Sequence, residues 1–540
     1  MMKKILITVT IVALVLSIPN SYAAEKFKPL PEINVLTYTP EQFLTDHEMA
    51  NYIAEQWRKL GLRVKVKPEV FPNPMVEIWF KTRTFDCIMA SYGDHPARLE
   101  PDFFTNAKFH SSYSVPGGWN TGEYKNPDFD KIGEEQLKIY DPEKRRALIY
   151  KLQEILYNDQ PLTVVLFAID NYGMNVSRVE LDYVPASGAL KSIWNYPRVN
   201  PKGTDRVVKF GLTEDLRTWN PVAAFQENDF RFLQLVYDRL VQVAPDGSVS
   251  MWAAKSVNAV DDTTIDVILK EGLKFSDGTP LTVEDVKFTY EYLKKWEAPY
   301  YKKYLEPIKE VKIVDKNKVR FYLSRPFSPF IMNTLGQVFI IPGHIWKDIP
   351  QKFGLAKPQD YRNIPPIGSG MYKLDYWREG QEFRLLRNPE HFMAPKADAL
   401  NIVFGSAELQ TAALKMGTID VATVKIMPAV AKELEKEKNI KLFKTTGVGY
   451  HMVEYHCGRP PFSDKTLREA LSYAVPYEKI INEVFLGDAK RSASTISPDN
   501  AFWHNKNLKL KDFDLEKARR ILKGAGYLWD EQGRLCYPAK

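Results

Sequence analysis

Cysteine is scarce in this 540-residue chain, which holds only Cys87, Cys457 and Cys536. An odd count leaves at least one thiol unpaired and no Cys-x-x-Cys occurs. At most one bridge is expected, with its pairing left open. The eight histidines scatter without a His-x-x-His or His-Glu-x-x-His spacing. His451 and His456, five apart on an expected strand, point to opposite faces, so no metal site and no other cofactor is expected. There is no Walker loop, and "IGSGMY" (Ile367–Tyr372) lacks the spacing of a Gly-x-Ser-x-Gly elbow. No block of Lys or Arg appears. The net charge of +7 is weak for this length and falls to +5 once Lys3 and Lys4 are removed, so nucleic acid is not an expected partner. Beyond the N terminus no run reaches 18 uninterrupted apolar residues, and the mature chain is expected to be soluble.

What is present begins with an export signal. Lys3 and Lys4 precede the apolar run Ile5–Ile18, Pro19 breaks it, and Ser21-Tyr22-Ala23 offers small residues at a cleavage site. The run is too short to span a bilayer comfortably. No cysteine stands near the cleavage point, which argues against a lipid-anchored product. Removal of residues 1–23 leaves about 517 residues, enough for about three units at roughly 150 residues each.

Aromatic residues make up 13% of the chain and are interleaved with short strands and medium helices, which predicts α/β or α+β layers. "ANYIAEQWRKLGLRVKV" (Ala50–Val66) predicts a helix, a glycine stop and a strand at Leu62–Lys67. Asp141-Pro142-Glu143 opens a helix that runs to about Tyr157, and "LTVVLFAI" (Leu162–Ile169) follows as a buried strand. "NYPRVNPKGTDR" (Asn195–Arg206) reads as an exposed linker. After it come a strand at Arg206–Leu212 and a helix around Asp229–Val241. Thr282 then caps a helix, with Asp285 placed to complete a capping box and Val286, Tyr290 and Leu293 on one face.

"LKEGLKFSDGTPLTVEDVKFTYEYL" (Leu269–Leu293) resembles the signature of the large extracellular solute-binding proteins, family 5, that serve peptide and nickel importers. "VYDRLV" (Val236–Val241), "IGSGMYKL" (Ile367–Leu374, with Met371 in place of a proline), "RNPEHF" (Arg387–Phe392), "LKMGTIDVA" (Leu414–Ala422) and "RPPFSDKTLREALSYAV" (Arg459–Val475) follow in the family's order. Pieces that the family carries late stand here at the front: "WRKLGLRVKV" (Trp57–Val66), "TFDCIMASYGD" (Thr84–Asp94) and "NPDFDKI" (Asn126–Ile132). The chain therefore resembles a circular permutant whose usual order would be roughly 207–540 followed by 25–206. On that reading the strand Leu62–Lys67 should neighbour both Pro31–Tyr38 and the distant Gly449–Tyr455.

The resemblance implies an α/β, two-lobed periplasmic binding protein type II fold with an extra subdomain, its lobes joined by a hinge. Residues 24–165 and 446–540 would form the second lobe, 166–245 and 361–445 the first, and 246–360 the extra subdomain. It further implies a monomeric, non-enzymatic component of an ABC importer in the periplasm, binding a peptide or other small solute and delivering it to a membrane permease. An oligosaccharide carrier on the same scaffold is the alternative. A glycoside hydrolase using Asp94 and Asp102 is a more distant one. By family position Asp94 would anchor a ligand α-amino group, with Tyr92 where the family commonly has tryptophan. Asp102 is a rival anchor and Arg98 is suited to a carboxylate. Tyr450 lies on a strand that the family turns to the cleft, with either face of that strand open as the lining one. Trp119, on a Gly-rich turn, is placed to stack on ligand.

Overall fold

The computed structural model of the chain describes residues 28–94 and 96–538. The expected export signal lies outside the described residues. No helix among the described residues is long and apolar enough to cross a membrane.

Local sequence explains the main elements. The helix Leu44–Lys59 buries Met49, Ile53 and Trp57, spaced i, i+4, i+8, with Ala50 and Ala54 beside them. This stripe faces one side of a sheet, where Trp57 stacks on Tyr455 at 6.3 Å between ring centroids; each such large apolar side chain contributes about 1.5–3 kcal/mol by leaving water. Gly61 follows with φ +90°, and a Cβ there would lie 2.4 Å from the Gly533 carbonyl oxygen, so only glycine fits both the turn and the approach. Asp141 caps the helix Pro142–Asp159 by accepting from the Lys144 amide. Thr282 and Asp285 form the expected capping box of the helix Val283–Lys295.

Twelve strands form one sheet. In chain order they are β1 (Ile33–Tyr38), β2 (Val64–Glu69), β3 (Cys87–Ser91), β4 (Leu162–Asn175), β5 (Val207–Leu212), β6 (Tyr372–Arg378), β7 (Glu382–Arg387), β8 (Ala399–Phe404), β9 (Val421–Ile426), β10 (Ile440–Thr446), β11 (His451–Tyr455) and β12 (Ala489–Lys490). Their order across the sheet is β6-β7-β8-β5-β9-β4-β11-β3-β1-β2, with β10 and β12 also paired to β4. The first half of β4 pairs antiparallel with β11, from Glu454↔Leu162 to His451↔Leu166. Its second half pairs with β10, from Thr446↔Ile169 to Ile440↔Asn175. A second, four-stranded antiparallel sheet spans residues 254–323 and carries the helix Val283–Lys295.

The cores divide accordingly. One gathers residues between Tyr172 and Phe443, including the four-stranded sheet. Two others lie on opposite faces of β1, β3 and β11. Val35, Met89 and Val453 face one side, and Leu36, Ile88 and Met452 the other. That is the period-two alternation of strands buried on both faces. Among the described residues only β4 contributes to these three, through Val165, Phe167 and Tyr172, and a fourth, smaller core lies between Leu414 and Ile440.

Several expectations are corrected. Among the described residues β1 is the sole strand paired with β2. Gly449–Tyr455 shares the sheet but stands two strands farther in, because β3 is inserted between β1 and β11. The segment Asn195–Arg206 is not exposed along its length. Asn195, Tyr196 and Val199 are buried, Val199–Pro201 pairs with Val179–Leu181, and the exposed part is residues 202–205. The helix expected around Asp229–Val241 runs Glu227–Val236, and Val241 opens a short strand instead. All three cysteines are free thiols.

The two described ends of the chain meet. Leu30 N–H donates to Leu535 O at 2.9 Å, Tyr537 N–H to Lys28 O at 2.9 Å, and Leu535 N–H to Gly61 O at 2.8 Å. Between β10 and β11 the chain passes through Gly447-Val448-Gly449-Tyr450, where a Cβ on Gly449 would sit 1.7 Å from the Tyr92 carbonyl oxygen. Gly449→Ala is expected to destabilise the fold by about 1–3 kcal/mol, measured as a lower midpoint of urea unfolding. An unchanged midpoint would mean that this passage widens at no cost.

Candidate functional site

A cavity of about 1080 Å³, mouth included, lies where β4 and the β10–β11 passage leave one core for the other. One wall carries Asp94, Leu99, Asp499 and Asn500. The opposite wall carries Lys191, Trp194, Arg231, Arg239 and Gln242, and Asp170, Tyr172, Thr445, Thr446 and Val448 of the crossing segments form the floor. Other contacts bridge the walls. Trp503 Nε1–H donates to Gly247 O at 2.9 Å, Phe502 N–H to Asp246 O at 2.8 Å and Ser328 Oγ–H to Gln136 O at 2.8 Å.

The carboxylates of the first wall are tied to the floor. Asp94 sits just past β3, where its Oδ1 accepts from the Val448 and Gly449 amides at 2.6 and 3.1 Å; Oδ2 takes part in neither bond. Asp499 Oδ2 accepts from the Thr446 amide at 2.7 Å. On β4, Asp170 accepts from the Tyr172 hydroxyl at 3.0 Å and pairs with Lys425 Nζ at 3.0 Å. Burial lowers the Lys425 ammonium, but Asp170, Asp94 and Glu227 together outweigh it and raise the group above its ordinary value. Lys191 goes the other way: burial, then the like charge of Arg231, brings it down to about 8.

Of the six residues singled out from sequence, Asp94 alone lines this cavity. Tyr92 is buried behind it, its hydroxyl accepting from Lys108 Nζ at 2.8 Å. Lys108 also pairs with Glu454 at 3.0 Å, both side chains being almost wholly buried. Tyr450 is fully buried and packs against Tyr92 and Phe104 at 5.8 and 4.8 Å. Both faces of β11 are therefore core, and the lining comes from the residues just before it. Asp102 is buried, its Oδ1 accepting from Asn106 and Gln136 at 3.0 and 2.6 Å, and burial pushes its carboxyl up. It does not share a cavity wall with Asp94, as a pair of hydrolytic carboxyl groups would. The Arg98 guanidinium lies over Tyr92 and Phe103 at 5.4 and 5.5 Å and donates to Gly93 O. Trp119 is half-exposed, edge-on to Phe103 at 4.9 Å. Sequence reading missed Asp170, Lys191, Arg239, Gln242 and Asp499. The signal available was in "VYDRLVQV", where an aspartate, an arginine and a glutamine interrupt an otherwise apolar run.

Residues 248–537 match the family described as bacterial extracellular solute-binding proteins, family 5 Middle. The chain belongs to that family. It is 29% identical over 307 residues to the oligopeptide-binding protein AppA of Bacillus subtilis (strain 168), covering 54% of each chain. To the dipeptide-binding protein of Escherichia coli (strain K12) it is 27% identical over 314 residues, 54% of this chain and 58% of that one. The chain thus spans little more than half the length of these relatives. Among solved structures, HbpA2 from Haemophilus parasuis superposes with a TM-score of 0.52 at 21% identity, over 59% of this chain and 67% of that one. The fold is the two-lobed α/β architecture of type II periplasmic binding proteins.

Lys191 gives the site a pH signature. The unfolded chain keeps this proton up to the ordinary value of 10.5, whereas the folded chain releases it near 8. The residue's contribution to stability is therefore least below pH 8 and grows as the pH climbs from 8 towards 10.5. Lys191→Met removes that dependence. Its advantage in melting temperature over the parent protein should be largest below pH 8 and narrow across the window, as followed by calorimetry.

Proposed function

We propose that this protein is the extracytoplasmic substrate-binding component of an ABC importer, which captures short peptides between its lobes and presents them to a membrane permease. The observation that carries the reading is the cavity itself. It is walled by both lobes, floored by the segments that join them, and furnished with a carboxylate, Asp94, whose Oδ2 is not used by the passage amides. A ligand held by both walls favours the closed arrangement by its differential affinity, and the permease reads that arrangement. The names of the B. subtilis and E. coli relatives support a peptide as the guest.

In this reading Asp94 receives the peptide's α-amino group, while Tyr92 and Tyr450 hold the Asp94 loop from behind. Residues 24–165 and 446–540 make one lobe and 166–445 the other, with 246–360 as its extra subdomain. The first 23 residues direct export to the periplasm and are cleaved, and the carrier works as a monomer. The order of segments is a circular permutation of the family's. Support for this comes from the hydrogen bonds between residues 28–30 and 535–537.

Mass spectrometry of whatever co-purifies with the exported protein, followed by titration with a peptide library and an oligosaccharide series, tests the function directly. Oligosaccharides that bind where peptides do not would overturn it. Asp94→Asn keeps an acceptor for the Val448 and Gly449 amides but removes the charge. It should weaken peptides with a free amino terminus by about 10- to 100-fold and leave N-acetylated peptides unaffected, as measured by calorimetric titration. Linking the two present ends and opening the chain at residues 202–205 should give a protein with the same melting temperature within a few degrees, because the ends are adjacent and the new opening is exposed. Aggregation of that variant would count against the permuted order.

A further inference from the structure

Arg239 is a buried cation without a counter-charge. It is 4% exposed and lines the cavity, and its Nε has no hydrogen-bond partner among the described residues. The guanidinium lies 4.4 Å over the Phe339 ring, which compensates only part of its lost hydration. The groups whose charge acts on it are the phenols Tyr301 and Tyr300, and burial pushes both up, Tyr300 to about 12, so neither is an anion at neutral pH.

No carboxylate is among the groups whose charge acts on Arg239. Asp238, the preceding residue, accepts from Trp252 Nε1 at 2.7 Å and lies 3.1 Å from His391 Nε2, both through Oδ1, while its Oδ2 has no hydrogen-bond partner among the described residues. Within the cavity, Asp94 and Asp499 hold passage amides, Asp170 pairs with Lys425 and Glu227 with Arg231 at 2.8 Å. Three residues along, Gln242 is also 4% exposed and lines the same cavity, with its Nε2 lacking a partner.

Buried charges in folded proteins are paired, because an unpaired one forfeits its hydration for nothing. Here a guanidinium with an unpaired Nε and an unpaired amide donor, both buried, belong to residues that line one cavity, a donor set suited to a carboxylate. We propose that Arg239 and Gln242 form a carboxylate subsite, which makes an acidic group on the ligand a determinant of specificity. This rests on the peptide-carrier reading. The carboxylate comes from the peptide's C terminus or from an Asp or Glu side chain, and the two sources are separable.

The test is calorimetric titration of the parent protein and Arg239→Gln with trialanine, trialanine amide and Ala-Glu-Ala amide. On the parent protein at least one carboxylate-bearing peptide should bind about 10- to 100-fold more tightly than trialanine amide. An advantage for trialanine assigns the terminal carboxylate, and one for Ala-Glu-Ala amide assigns the side chain. Arg239→Gln should bind all three as weakly as the parent binds trialanine amide. Its ligand-free melting temperature should equal or exceed the parent's, since an unpaired charge has been removed. Equal binding of the three peptides to the parent, or discrimination that survives in Arg239→Gln, would overturn the subsite while leaving the carrier reading intact. A variant too unstable to fold would contradict the premise that the guanidinium is unpaired. Failure of all three to bind the parent would bring down the carrier reading and the subsite with it.

Discussion

β4 is fourteen residues long and belongs to both halves of the molecule. Except at Phe167 and Ala168, one neighbouring strand is supplied by a continuous stretch, residues 440–455, so the two lobes are joined by an antiparallel ladder rather than by loose linkers. A ladder of this kind resists bending wherever its hydrogen bonds are regular. Its register shifts between His451 and Met452, and just beyond that the ladder is interrupted. Between Thr446↔Ile169 and His451↔Leu166, four residues of one segment stand opposite two of the other, and Phe167 and Ala168 pair instead with β12. Extra residues in one strand let it bend without breaking its neighbours' bonds. Motion of one lobe against the other has its natural pivot there.

The cavity's carboxylates are wired to the same place. Asp94 reaches the amides of Val448 and Gly449, and Asp499 reaches that of Thr446. A ligand that engages Asp94 therefore engages a group already holding the pivot's backbone. Behind Asp94, the Lys108–Glu454 pair ties β11 to the loop that follows β3. That pair is costly to bury and costlier still to break by removing one member, about 3–5 kcal/mol for a buried pair in general. Rigid support behind the cavity and an irregular ladder beneath it divide the labour, so that the cavity wall is held firm beside a backbone that can bend.

Much of this was legible in the sequence, and the parts that were not share a cause. Caps and periodic stripes are local, so the helices at Leu44–Lys59, Pro142–Asp159 and Val283–Lys295 could be placed from a few residues each. The family likeness singled out Asp94, which lines the cavity, because the Phe-Asp strand and the turn after it are contiguous. Strand adjacency is not local. The sequence of β3 was visible, but nothing in it says that it lies between β1 and β11. The same limit hid Arg239 and Lys191, whose character comes from what surrounds them in space. Tyr92 and Tyr450 were misleading for a related reason: aromatic residues beside a cleft motif serve equally well as the packing behind it, and alternation along a strand cannot tell the two uses apart when both faces are buried.

The meeting of residues 28–30 with 535–537 bears on why a rearranged order would be tolerated at all. Native contacts set the enthalpy of the folded state, and these are indifferent to which covalent link is missing. What changes is the entropy of closing loops, which grows only as the logarithm of their length, about 0.6 kcal/mol for each doubling. Pairing β11 with β3 spans more than 350 residues in the present order. If the two ends were joined the connecting path would run through the seam and shorten to about 150, little more than one doubling. Against the many bonds of a twelve-stranded sheet this difference is small. The constraint that cannot be rearranged is geometric: wherever the chain is cut, β4 and residues 440–455 must each stay unbroken, because they alone carry the ladder from one lobe to the other. Both the present ends and the exposed stretch at 202–205 satisfy it.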